Sequence, residues 1–131
     1  MLRAQSSLVS GPSPLFFLTS ANLQLTSDQA FTKIQPFASY RLTHVVARWK
    51  SGGTTVACTG GIYTAAAKGG SALVAATQSW LNLTAAGKIV SAVLAAVNDT
   101  DEQSATPILS LTTGSTAAAT ADLTLYGIIL T

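Results

Sequence analysis

The sequence predicts an all-β fold, a β-sandwich of jelly-roll type carrying an extended N-terminal arm. Short apolar or β-branched runs recur along the chain between Gly, Pro, Ser and Asn punctuation, and several alternate with a period of two. No stretch sustains helical periodicity for the length a stable helix needs. The strand–helix–strand crossovers of a parallel sheet are also missing. At 131 residues the chain is long enough for one core. Residues 15–131 are therefore read as a single domain and residues 1–14 as the arm.

Met1 to Pro14 mixes Ser, Gly and Pro with isolated apolar side chains, the composition of an extended segment. Leu15-Phe16-Phe17-Leu18 opens the first strand, and Leu23-Gln24-Leu25 alternates after it. Tyr40 to Lys50 is the clearest strand, with Leu42, His44 and Val46 on one face and Thr43, Val45, Ala47 and Trp49 on the other. Ser51-Gly52-Gly53 marks a turn. Thr54 to Cys58 reads as a strand stopped by Gly60-Gly61, and Ile62-Tyr63-Thr64 resumes the chain. Ala65 to Lys68 makes at most one turn before Gly69-Gly70.

Ser71 to Leu83 suits either a helix or a strand edge. Lys88 to Val97 is tilted towards strand by its β-branched residues. Asn98 to Glu102 gathers three of the five acids and is expected to form an exposed loop. Pro107 to Thr113 and Thr120 to Leu130 read as an antiparallel hairpin, with Leu109 and Leu111 facing inward on one strand and Leu123 and Leu125 on the other. Gly127 marks a bulge or bend.

Charged residues make up only 9% of the chain, against roughly 25% in an average globular protein. A surface of Ala, Thr, Ser and Gly lets partner backbones approach closely, and the cores of interfaces are depleted in charge. The composition therefore favours burial in an assembly. The net charge of +2 is scattered, so no footprint for nucleic acid can be drawn. Gly11, Pro12 and Pro14 interrupt the apolar core a signal peptide would need, and no run reaches the roughly 18 apolar residues of a membrane span.

Chemistry is sparse. His44 is the only histidine and lies within an apolar strand, where a core or interface role is expected; Cys58, the only cysteine, is expected to be buried and inert. A Cys58–His44 pair has no supporting motif around it. Asp99, Asp101 and Glu102 read as a solvated loop, and the NDTDE run lacks the glycine and distal glutamate of a helix-loop-helix calcium site. The glycine pairs match neither phosphate-binding nor dinucleotide fingerprints. The triplets at Asn82 and Asn98 fit the glycosylation pattern but arise readily in Thr-rich sequence. No catalytic, metal-binding or cofactor-binding residues are assigned, and no enzyme activity or cofactor is expected.

In GGIYTAAAKGGSALVAATQSWLNL (Gly60 to Leu83) and LSLTTGSTAAATADLTLYG (Leu109 to Gly127) the chain resembles small virion structural proteins of tailed bacteriophages, of the capsid decoration or cement type. The resemblance covers about the last two thirds of the chain and lies in Ala, Thr and Gly set around isolated aromatics. It implies a β-sandwich subunit, made in the host cytoplasm and located on the capsid surface. Its partners would be the major capsid protein lattice and copies of itself in a homo-oligomer, with neither nucleic acid nor membrane bound. A tail, connector or fibre-base component is an alternative within the same class. From another class, Trp49, Trp80 or Tyr63 could give a carbohydrate-binding module an aromatic platform. Leu2, Leu8, Val9, Leu15, Phe16 and Phe17 are the expected partner contacts, with Leu15 to Leu18 anchored and the preceding residues needing a partner for order.

Overall fold

The computed structural model describes residues 12–130. Its elements are β1 (Ser13–Asn22), β2 (Gln29–Ala30), β3 (Thr32–Lys33), β4 (Ser39–Gly52), β5 (Thr59–Ala65), β6 (Gly69–Val74), β7 (Ile89–Ser91), one helical turn α1 (Val97–Thr100), β8 (Ile108–Thr113) and β9 (Ala119–Leu130). The strands form two antiparallel sheets: five strands in the order β3-β1-β9-β4-β7, and four in the order β2-β8-β5-β6. Ser13 and Pro14, read from sequence as arm, belong to β1. Leu23 to Leu25 lies beyond the strand, with Leu23 buried and Leu25 exposed.

Strand β9 keeps the alternation its sequence promises. Ala119, Ala121, Leu123, Leu125 and Gly127 are buried, while the residues between them are half-buried. Its inward side chains join Leu15, Phe16, Leu42 and Val45 from the same sheet, and Ile62, Leu73, Val74, Leu109 and Leu111 from the other, in one apolar cluster. Phe16, Phe37 and Tyr40 meet edge to face within this core, with ring centroids 5.1–5.8 Å apart. The Tyr40 hydroxyl escapes burial without a partner by donating to the Ala105 carbonyl at 2.6 Å.

Four sequence expectations change. In β4 the register shifts between Leu42 and His44, so one extra residue reverses the alternation midway. Leu42, Val45 and Ala47 therefore all point inward, and His44 and Val46 do not share a face with Leu42. Gly60-Gly61 is no strand terminator but the buried start of β5, whereas Thr54 to Cys58 forms no strand. A Cβ on Gly60 would run into the Leu111 Cα, and one on Gly61 into the Val74 carbonyl. These glycines let three strands approach closely. Gly127 likewise sits against the Arg41 carbonyl and Leu15, and the extra residues at that level belong to β1 and β4, on either side of it.

The third change is that β8 and β9 are not a hairpin: β8 pairs with β2 and β5, and β9 with β1 and β4. Their connection crosses from one sheet to the other. Buried Ser115 pins it, its N–H donating to the Leu23 carbonyl at 2.7 Å and its hydroxyl accepting from the Val56 N–H at 3.0 Å. The inward faces of Leu109, Leu111, Leu123 and Leu125 are as expected, because alternation reports burial and not which strand lies alongside. Fourth, Asn98 is not part of an exposed loop. It is buried in α1, its amide donating to the carbonyls of Leu73 at 2.9 Å and Ala95 at 3.1 Å, while Asp99, Asp101 and Glu102 are exposed. Of the ambiguous stretches, Ser71–Leu83 continues β6 to Val74 and then turns around buried Trp80, and Lys88–Val97 holds the three-residue β7 and the first residue of α1.

Candidate interaction surface

The residues considered for chemistry are held apart. His44 is exposed on the outer side of the five-stranded sheet, 2.9 Å from the Thr43 hydroxyl, and not in the core. Cys58 is fully buried just ahead of β5, its thiol 3.7 Å from the Leu23 carbonyl, so the two form no pair. Among the described residues, no group of three or more His, Cys, Asp or Glu side chains is placed to hold a metal. No helix there is long and apolar enough to cross a membrane. Trp80 and Tyr63 are buried and Trp49 is half-buried against the core, so these rings do not form a platform for a sugar.

Burial pushes the Cys58 thiol up to about 11 from its ordinary 9.0, partly opposed by a hydrogen bond from the Ser115 backbone. Burial raises the Tyr40 phenol too. In both groups the folded state favours the protonated form. Their contribution to stability is therefore complete below the ordinary pKa and declines as pH rises towards the folded value. We expect the folded chain to resist thiol reagents at pH 8. Its melting temperature should fall from about pH 9 upward, and less steeply in Cys58→Ser between pH 9 and 11. Cys58→Ser should leave assembly intact, since the thiol faces only the core. Rapid labelling of the native protein at pH 8 would show that the core opens readily at this point.

The outer side of the five-stranded sheet is exposed or half-exposed along all five strands. The registers align Thr32, Phe17, Thr124, Val46 and Ser91 in one uncharged row across all five strands. Phe17 is 38% exposed, the most accessible aromatic in the sheet. Charges flank the row: exposed Arg48 stands two residues along β4 from Val46, in register with Asp122 on β9. Arg41 meets Asp99 at 3.4 Å and Lys50 meets Asp122 at 3.8 Å, exposed pairs that contribute little to stability. Of the six expected contacts, Leu15 and Phe16 are fully covered by the chain's own core and Phe17 stays accessible; Leu2, Leu8 and Val9 lie outside the described residues.

Side-chain amides occupy backbone positions at the sheet edges. Beyond β3, the Gln29 amide both accepts from the Asn22 N–H and donates to the Asn22 carbonyl, each at 2.8 Å. At the opposite edge the Asn82 amide donates to the Ile89 carbonyl at 2.7 Å, and the Gln78 carbonyl oxygen accepts from the Val93 N–H at 2.9 Å. Such caps satisfy groups that an edge strand would otherwise offer to another chain. Beside the second edge lies a cleft of about 290 Å³ lined by Ala75, Thr77, Gln78, Val93, Leu94 and Ala95, among others. Sequence reasoning missed these amides, because isolated Gln and Asn in turns look like solvent-facing residues. No protein-family model, curated protein or solved structure matches the chain.

Proposed function

We propose that the chain is a structural subunit of a tailed-phage virion that decorates or cements the capsid, binding the major capsid protein lattice and further copies of itself. The finer fold proposed with it is a jelly roll. Setting aside β3, the orders β1-β9-β4-β7 and β2-β8-β5-β6 are those of two interleaved Greek keys, an architecture used in viral capsid domains and also in lectins and cupins. Fold alone does not carry function.

The observation that does most for this reading is the uncharged row from Thr32 to Ser91. A face of three long strands, about 30 to 45 Å each, flanked by the two- and three-residue strands β3 and β7, offers about 650 Å², close to one partner's share of a standard protein interface. Small hydroxyl and apolar side chains suit close contact with another backbone. The test is quantitative mass spectrometry of purified virions, with co-sedimentation of the chain with empty capsids. A multi-copy virion protein that binds capsids is the expected result. Absence from virions overturns the reading, and presence only in tail fractions with no capsid binding favours a tail or connector component.

A further inference from the structure

The β7 edge is only partly capped. Ala92 donates to the Val45 carbonyl and Trp49 to the Lys88 carbonyl, which fixes the phase of the β4–β7 ladder. Alternate residues in an antiparallel ladder point their backbone groups to opposite sides, so Ile89, Ser91 and Val93 present theirs away from β4. On that side the only partners among the described residues are the two amides, one on Ile89 and one on Val93; no hydrogen bond reaches the Ser91 N–H or carbonyl. Three of the large exposed apolar side chains gather along this edge: Leu81, Ile89 and Val93, the last 76% exposed and lining the cleft.

We propose that this edge and its cleft receive residues 1–11 of a second copy as an added strand, with Leu8 or Val9 entering the cleft beside Val93. Residues 1–11 read MLRAQSSLVSG, with one charged residue, Arg3, and three Leu or Val side chains, a composition that suits the exposed apolar Ile89 and Val93 of this edge, whose own charge, Lys88, lies at the end remote from Val93. The segment leaves the described structure ahead of Ser13, which is level with Gly127 and hence with Leu42, at the end of the sheet from which Val93 projects. Its own β7 lies three strand spacings away, about 14 Å. Crossing that gap uses at least about five residues at about 3.3 Å each, so Val9 of the same chain would fall short and Leu8 would arrive only when drawn taut. A second copy has no such restriction. On docking, the Asn82 and Gln78 amides turn out to water and backbone groups take their places, as in strand addition to other exposed edges.

This inference rests on the proposed self-association, but it can fail while capsid binding stands. The experiment measures self-association of the full chain by sedimentation equilibrium beside a chain lacking residues 1–11 and the variant Ser91→Pro. Proline removes an N–H that the fold does not use and blocks the incoming strand. Each change should weaken association by about tenfold or more, with thermal unfolding of the dilute chain unchanged. A mixture of Ser91→Cys chains with Ser6→Cys or Ser7→Cys chains, which cover both sides of an extended segment, should give a disulfide-linked dimer, because native Cys58 is buried. Undiminished association after the deletion or in Ser91→Pro overturns the proposal. So does a monomer at every concentration, even if the deletion abolishes capsid binding. A mixture that gives no such dimer, while a double variant carrying Ser91→Cys with Ser6→Cys or Ser7→Cys closes a disulfide within single chains, overturns the choice of a second copy.

Discussion

Leu123→Asp is expected to leave the chain unfolded. Leu123 is 1% exposed at the centre of the five-stranded sheet, paired with Leu18 on β1 and Ala47 on β4. Truncating a buried leucine costs about 2–5 kcal/mol, and an unpaired carboxylate there adds several more. Together these approach or exceed the roughly 5–15 kcal/mol that hold an ordinary domain together. Thr124→Asp, one residue on and facing outward, should cost less than about 1 kcal/mol. Circular dichroism melts of the two variants provide the check, and a native melt for Leu123→Asp would reverse the face assignment of β9.

The second large effect is at Trp80. It is 1% exposed, with its indole N–H donating to the Gly60 carbonyl at 3.1 Å and its backbone N–H to the Cys58 carbonyl at 2.9 Å. Trp80→Ala should cost about 3–5 kcal/mol through the cavity it opens. Trp80→Phe keeps most of the volume but orphans the Gly60 carbonyl, at about 1–3 kcal/mol. Trp49 offers an internal contrast, since its buried indole N–H has no partner among the described residues. Trp49→Phe should therefore cost clearly less than Trp80→Phe. Urea titrations that rank the two phenylalanine variants the other way would place Trp49's N–H in a hydrogen bond and Trp80's outside one.

What the sequence conveyed was burial, and what it withheld was partnership. The alternation of β9 is legible because its inward and outward residues differ in kind. In β4 the reversal at Thr43-His44 is silent, since Val45 and Val46 suit either face. Gly60-Gly61 looked like a turn because a glycine that admits a neighbouring strand is written the same way as one that bends the chain. The short Gly114 to Ala118 connection would fit a hairpin equally well, and only the distant contacts of Ser115 with Leu23 and Val56 send it across to the other sheet. At the candidate surface, the uncharged character of the chain was visible from composition. The row from Thr32 to Ser91 requires four separate registers, none of them local.

The position of β9 also bears on when this domain can fold. Its neighbours β1 and β4 lie far upstream, joined to it by pairings such as Phe16 with Leu125 and Val45 with Leu125. During synthesis, β1 and β4 have only the short edge strands β3 and β7 to pair with in this sheet while more than half the domain is translated between them and the central strand. The five-stranded sheet has no middle until residues 119–130 emerge from the ribosome. Folding should then proceed at the modest rates of proteins dominated by distant contacts. Nascent chains stalled before residue 119 should remain open to proteases and to chaperones, and the released full chain should not.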